Sequence, residues 1–165
     1  MVCSVCSCFF IYNYSYSVLK MLDYLVVMGL AVLFIFAEWD YKKALLPNFP
    51  VAVSLIGYGL FLMNMPKLLF FYVFYLAVAG GMWLFYARKH EMSLADCLLA
   101  GFFTFCSYFL YFVPLLLFII LVPLFHKLNI CCHYENGKKL VKMIPPMFIS
   151  LFVCFFVHLI ISFLF

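Results

Sequence analysis

The sequence predicts an all-α, polytopic membrane protein with about six transmembrane helices, and three observations carry that prediction. Of 165 residues, 70% are hydrophobic and only 10% charged, with a mean hydropathy of +1.22, far from an average soluble domain. A soluble chain of this size could not hide so much apolar surface, whereas in a bilayer the exterior is as apolar as the core. The apolar residues also form long runs, and the breaks between them hold charge, Pro and Asn. No stretch reads as a strand, and no internal repeat is evident.

Each element follows from a run and its break. Leu22–Trp39 reads as a first helix, interrupted only by Asp23, and Val51–Met65 as a short second one behind Pro47 and Pro50. Asn64-Met65-Pro66-Lys67 ends it, and Leu68–Ala87 gives a third helix near the roughly 20 residues needed to cross a bilayer. Arg88-Lys89-His90-Glu91 is a polar break. The next run, Leu94–Phe125, holds no charge except Asp96. As one helix it would reach about 48 Å against a hydrocarbon core of about 30 Å. It is therefore split near Val113-Pro114 into a fourth and a short fifth helix. His126–Pro146 is expected as a long polar loop and Met147–Phe165 as the sixth helix. Residues 1–20 stand apart as an N-terminal extension rich in Cys, Ser, Tyr and Phe, without a basic start. They resemble neither a signal peptide nor a well-formed span, and are expected to be dispensable. Residues 21–165 then form a single membrane-embedded domain.

Charge placement gives an orientation. With six spans, the loops after the first, third and fifth helices share one face. They carry Lys42, Lys43, Arg88, Lys89, Lys127, Lys138, Lys139 and Lys142, against Lys20 and Lys67 on the other face. The positive-inside rule makes the first face cytosolic. The ten cations are scattered over several short loops, which suits lysines flanking spans and gives no nucleic-acid-binding patch. Lipid is the expected surrounding of this multi-pass protein of the cell membrane.

Two aspartates at that cytosolic face carry the chemistry. A carboxylate at a membrane helix centre costs roughly 2.5–3.5 kcal/mol on insertion scales, and less near the interface. Asp40 closes the first apolar stretch and is followed by Lys42 and then by Leu46-Pro47-Asn48. Asp96 opens the fourth, in Ser93-Leu94-Ala95-Asp96-Cys97-Leu98-Leu99-Ala100-Gly101. Two neighbouring carboxylates tend to share one proton, so that one accepts a proton from water while the other polarises a carbonyl. As a lone residue Asp96 reads as a helix cap, because an acid at a helix N-terminus complements the dipole.

These motifs resemble those of the prepilin and preflagellin peptidases, membrane aspartic proteases of the GxGD type. In that family an Asp at a helix end is followed by a basic residue two positions on and by an aliphatic-Pro-Asn triplet beginning six positions on. Asp40, Lys42 and Leu46-Pro47-Asn48 occupy those places, with Lys for the commoner Arg. The second motif, Gly-x-Gly/Ala-Asp-x-Lys before a helix of small and apolar residues, is matched by Ala95-Asp96 and Ala100-Gly101. Ser93 stands where the first Gly usually lies and Leu98 where the Lys does. Ile144-Pro145-Pro146 echoes the family's Pro-rich lead-in to the last helix. The resemblance runs from about Leu22 to the C-terminus. It implies catalytic Asp40 and Asp96 and cleavage of leader peptides from pilin-like or flagellin-like precursors. It also implies the short form, without a methyltransferase segment or S-adenosylmethionine, so that neither cofactor nor metal is expected.

The same acids fit two other functions: a proton-coupled carrier or channel, and a catalytically inactive membrane scaffold related to the peptidases. A carrier is expected to hold its acids near the bilayer midplane on interrupted helices. Among other residues, Glu38 turns away from Asp40 on a helix and reads as an interface residue, and Asp23 as a helix-end charge. Cys3, Cys6 and Cys8, like Cys131-Cys132-His133, lack the four spaced ligands of a zinc site. Cys97, Cys106 and Cys154 read as small apolar fillers and His158 as a packed core residue. Gly57, Gly59, Gly80 and Gly81 are expected to allow close helix packing.

Overall fold

The computed structural model describes residues 3–42, 46–85, 93–135 and 138–164, and describes side chains over 21–41, 46–85, 93–132 and 142–164. Six helices carry the chain: α1 (Cys3–Lys42), α2 (Asn48–Phe61), α3 (Pro66–Phe85), α4 (Leu94–Tyr108), α5 (Val113–Leu128) and α6 (Ile144–Leu164). The fold is all-α, as composition predicts. Among the described residues, three segments are long and apolar enough to cross a membrane: Met21–Tyr41 within α1, Pro66–Phe85 and Ile144–Leu164. The helices Asn48–Asn64, Leu94–Tyr108 and Val113–Leu128 are apolar but shorter. At about 1.5 Å per residue, the 15-residue α4 reaches only about 22 Å.

Helix ends follow local chemistry. Pro47 precedes α2 in an extended conformation, and a 3₁₀ turn at Leu62–Asn64 follows it. Pro66 then opens α3, where a missing N–H costs nothing. The split near Val113-Pro114 is present. Tyr111 and Phe112 take positive φ values of 53° and 59°, and the Phe112 N–H donates to the Ser107 carbonyl at 2.8 Å. That six-to-one bond closes the end of α4 in the manner of a Schellman motif. Pro114 sits in the first turn of α5.

Three expectations are corrected. The backbone of α1 is helical from Cys3, so Asp23 lies within a helix and not at its end. The region His126–Pro146 is not a plain loop: α5 continues to Leu128, and α6 starts at Ile144 with Pro145 and Pro146 buried in its first turn. Between them lies a hairpin of β1 (Cys132–Glu135) and β2 (Lys138–Val141), in antiparallel register from Cys132 opposite Val141 to Glu135 opposite Lys138. Strand pairing fits there because a polar segment at a helix end meets its backbone hydrogen-bonding needs within itself.

The core centres on α4, which packs against α1, α2, α3, α5 and α6. Leu99, Phe102, Phe103, Phe105 and Cys106 on α4 are fully buried. Two tyrosines enter this apolar centre with their hydroxyls satisfied. Tyr58 donates to the Leu25 carbonyl at 2.9 Å and Tyr72 to the Leu55 carbonyl at 2.7 Å. Their rings meet Phe102 and Phe105 edge-on, at centroid distances of 4.9 to 6.2 Å, a favoured aromatic geometry.

Two glycines seat α4. A Cβ at Gly101 would lie 2.7 Å from the Ala79 Cβ and 2.9 Å from the Tyr75 carbonyl oxygen, and one at Gly29 would lie 2.6 Å from the Cys106 Sγ. Of the glycines expected to permit close packing, only Gly59 does so, against Tyr72 at 3.2 Å; Gly57, Gly80 and Gly81 face open space. Gly101→Ala should therefore push α3 off α4 and destabilise the protein by about 1–3 kcal/mol. Gly80→Ala should be neutral or stabilise by up to about 1 kcal/mol. Thermal unfolding of both variants in the same detergent checks the contrast, and equal effects would refute it.

Candidate active site at one end of the bundle

Helix direction decides where the two aspartates lie. Tyr58 reaches back to Leu25, so α2 runs antiparallel to α1. Phe71 stacks on Tyr108, Tyr72 meets Phe105, and Gly101 lies against Ala79, so α3 and α4 are antiparallel too. Since α3 reverses α2, α4 also opposes α1. Asp40, in the last turn of α1, and Asp96, in the first turn of α4, therefore share one end of the bundle. The close approach of Gly29 to Cys106 fixes the level. Eleven residues along α1 to Asp40 and ten back along α4 to Asp96 are about 16 and 15 Å respectively. The two residues lie at nearly the same depth on helices packed against each other.

Their faces differ. Asp40 falls about 20° round the helix from Gly29, on the stripe of Leu33 and Phe36 that is buried against the core, and is itself only 8% exposed. Asp96 falls about 80° round from Cys106, at the flank of the contact with α1, and is half-buried. Ala95, buried, holds the inward place at that level.

Asp96 forms a capping box with Ser93. Ser93 Oγ accepts from the Asp96 N–H at 3.0 Å and donates to Oδ2 at 2.7 Å, while the Ser93 N–H donates to the same Oδ2 at 3.3 Å. This satisfies donors orphaned at the helix start, at the end where the dipole favours an anion. The reading of Asp96 as a cap is therefore realised in the geometry. Asp40 is placed the other way. It sits near the helix C-terminus, where the dipole disfavours a carboxylate by about 0.3–1 kcal/mol, and it is buried as well.

The compensating group is Lys142, which the sequence alone marks only as one loop cation among several. Its ammonium donates to the carbonyl of Asp40, and to that of Tyr41 at 3.0 Å, satisfying acceptors at the C-terminus of α1 and supplying positive charge where the dipole calls for it. The hairpin holds Lys142 in place: its N–H donates to the Cys131 carbonyl at 2.9 Å, and α5 packs on β2. Asn129, in the left-handed conformation, ends α5, and the Ile130 N–H returns to the Phe125 carbonyl. Cys131 lies in the same cluster. Burial pushes its thiol up, Asp40 and Cys132 add to this, and Lys142 opposes it. The Asn136-Gly137 pair separating the strands is the signal that could have revealed the hairpin, since Asn-Gly is a strong hairpin dipeptide.

Other residues fall elsewhere. Lys43 and Arg88 to Glu91 lie outside the described residues, as does the side chain of Lys42. Glu38 is exposed, while Cys97 and Cys106 are buried. His158 is not a core residue: its Nε2 lies 3.5 Å from Asp23 Oδ1, with both side chains about one third exposed. This pair ties α1 to α6 at the opposite end, where a partly exposed ion pair adds only about 0–1 kcal/mol. Among the described residues no His, Cys, Asp and Glu group is arranged to hold a metal. No protein-family model matches the chain, and neither does any curated protein or solved structure.

Proposed function

We propose that the chain is a membrane-embedded aspartic endopeptidase that removes leader peptides from pilin-like or flagellin-like precursors at the cytosolic face of the cell membrane, with Asp40 and Asp96 as its catalytic pair. One observation carries this reading: Asp40 is buried at the unfavourable end of its helix, on the face packed against the helix that begins with Asp96. A carboxylate buried within a candidate membrane span points to a use for it. Carboxylates brought together there would share one proton and divide the acid and base roles between them. The end that holds them also holds Lys142 and the lysine-bearing hairpin, in keeping with a cytosolic placement and a multi-pass chain. A precursor helix leaving the bilayer would present its leader at this level.

The capping box favours a second reading, a catalytically inactive scaffold, because Ser93 already occupies one oxygen of Asp96. A carrier is less well supported. A relay needs its acids near the middle of the membrane, whereas Asp40 and Asp96 lie at one end of the bundle.

The test is co-expression with a precursor whose leader ends in Gly before an apolar helix. The wild-type chain should convert the precursor to a shortened product that is absent from cells carrying empty vector. An uncut precursor across a panel of pilin-like and flagellin-like substrates would leave the scaffold as the better reading.

A further inference from the structure

The connection between α5 and α6 brings Lys142 from a position 102 residues away in sequence onto the end of α1. The carbonyls of Asp40 and Tyr41 belong to the last turn of that helix, so an ammonium bridging them fixes the turn. Such a turn would otherwise fray, and Asp40 would move with it. We infer that Lys142 is the positioning residue of this site, holding the terminal turn of α1 so that the Asp40 carboxylate stays seated against α4, and placing a fixed positive charge beside it. The hairpin is then the strap that carries this lysine, through its bond to Cys131 and its packing on α5. The kinetic consequences rest on the peptidase reading; the seating of Lys142 does not.

The ammonium also places positive charge at the end of α1 where the helix dipole calls for it. Loss of the bridge loosens Asp40 and should lower kcat, by up to about 10²-fold for a displacement of about 1 Å, with little change in KM. Lys142→Met keeps the length of the stem without the charge; Lys142→Arg keeps the donors and the charge.

The experiment compares the full-length wild type with both variants in detergent, measuring kcat and KM of cleavage and, separately, the rate at which N-ethylmaleimide alkylates Cys131, followed by peptide mass. Lys142→Met should lower kcat with little change in KM, and should slow Cys131 alkylation, because the cation that opposes the upward shift of that thiol is gone and the thiolate is the reacting form. Lys142→Arg should recover most of each effect. A rise in KM as large as the fall in kcat, with no rescue by Arg, would reduce Lys142 to a structural part and overturn the inference. If the wild type cuts nothing, the peptidase reading fails and alkylation alone decides: slower reaction in Lys142→Met upholds the seating of Lys142, and an unchanged rate removes it.

Discussion

Replacing Asp40 by Asn should lower precursor cleavage by about 10²–10⁴-fold, the usual contribution of a general acid or base, without lowering the stability of the protein. The two halves of this prediction come from one geometry. Asn has nearly the shape of Asp, so the buried stripe of Leu33, Phe36 and residue 40 stays packed. It cannot ionise or share a proton, so it can serve as neither acid nor base. It also removes a charge from the negative end of the α1 dipole and from a buried setting, both of which disfavour an anion, while the Lys142 ammonium at the same helix end works the other way. Thermal unfolding should thus stay close to the wild-type temperature. Activity lost while stability holds or rises marks a residue retained for function. A variant that cuts normally, or one that loses stability and activity together, would remove Asp40 from the mechanism.

The parts of the molecule legible in the sequence are those that a bilayer or a proline enforces. Long apolar runs must be helical where no water can satisfy the backbone, which is why α3 and α6 fall close to their predicted bounds. The break before Val113 was legible because one helix of that length could not fit, and because Pro114 suits a first turn. Asp40 stands out in the sequence through its spacing to Pro47 and Asn48. What stayed hidden depends on distant pairing. Nothing near Lys142 in sequence tells that it caps a helix ending at Lys42. Nothing local tells that Gly29 and Gly101 lie at helix contacts while Gly80 and Gly81 do not. His158 looks like a core residue in the sequence because its partner Asp23 lies on another helix. The hairpin is hidden for a different reason: its strands are short and polar, so it forms no apolar run, and only Asn136-Gly137 marks it.

Asp96 needs a series of substitutions, since its cap and its proposed chemistry use the same oxygens. Asp96→Asn retains an acceptor for the Ser93 N–H and Oγ and so keeps most of the capping box. Asp96→Ala loses the cap and the acid together. Ser93→Ala breaks the box from the other side and leaves the carboxylate, at a cost of about 0.5–2 kcal/mol. A catalytic Asp96 predicts that Asn and Ala both lose cleavage by about 10²–10⁴-fold, that only Ala shows clear loss of stability, and that Ser93→Ala is less stable yet still cuts. A capping Asp96 predicts the reverse for Asn, which would cut normally. The pattern is read from unfolding temperature and product yield measured on the same preparations. Cleavage that follows stability across all three variants would assign Asp96 to the helix start alone and leave Asp40 without its partner.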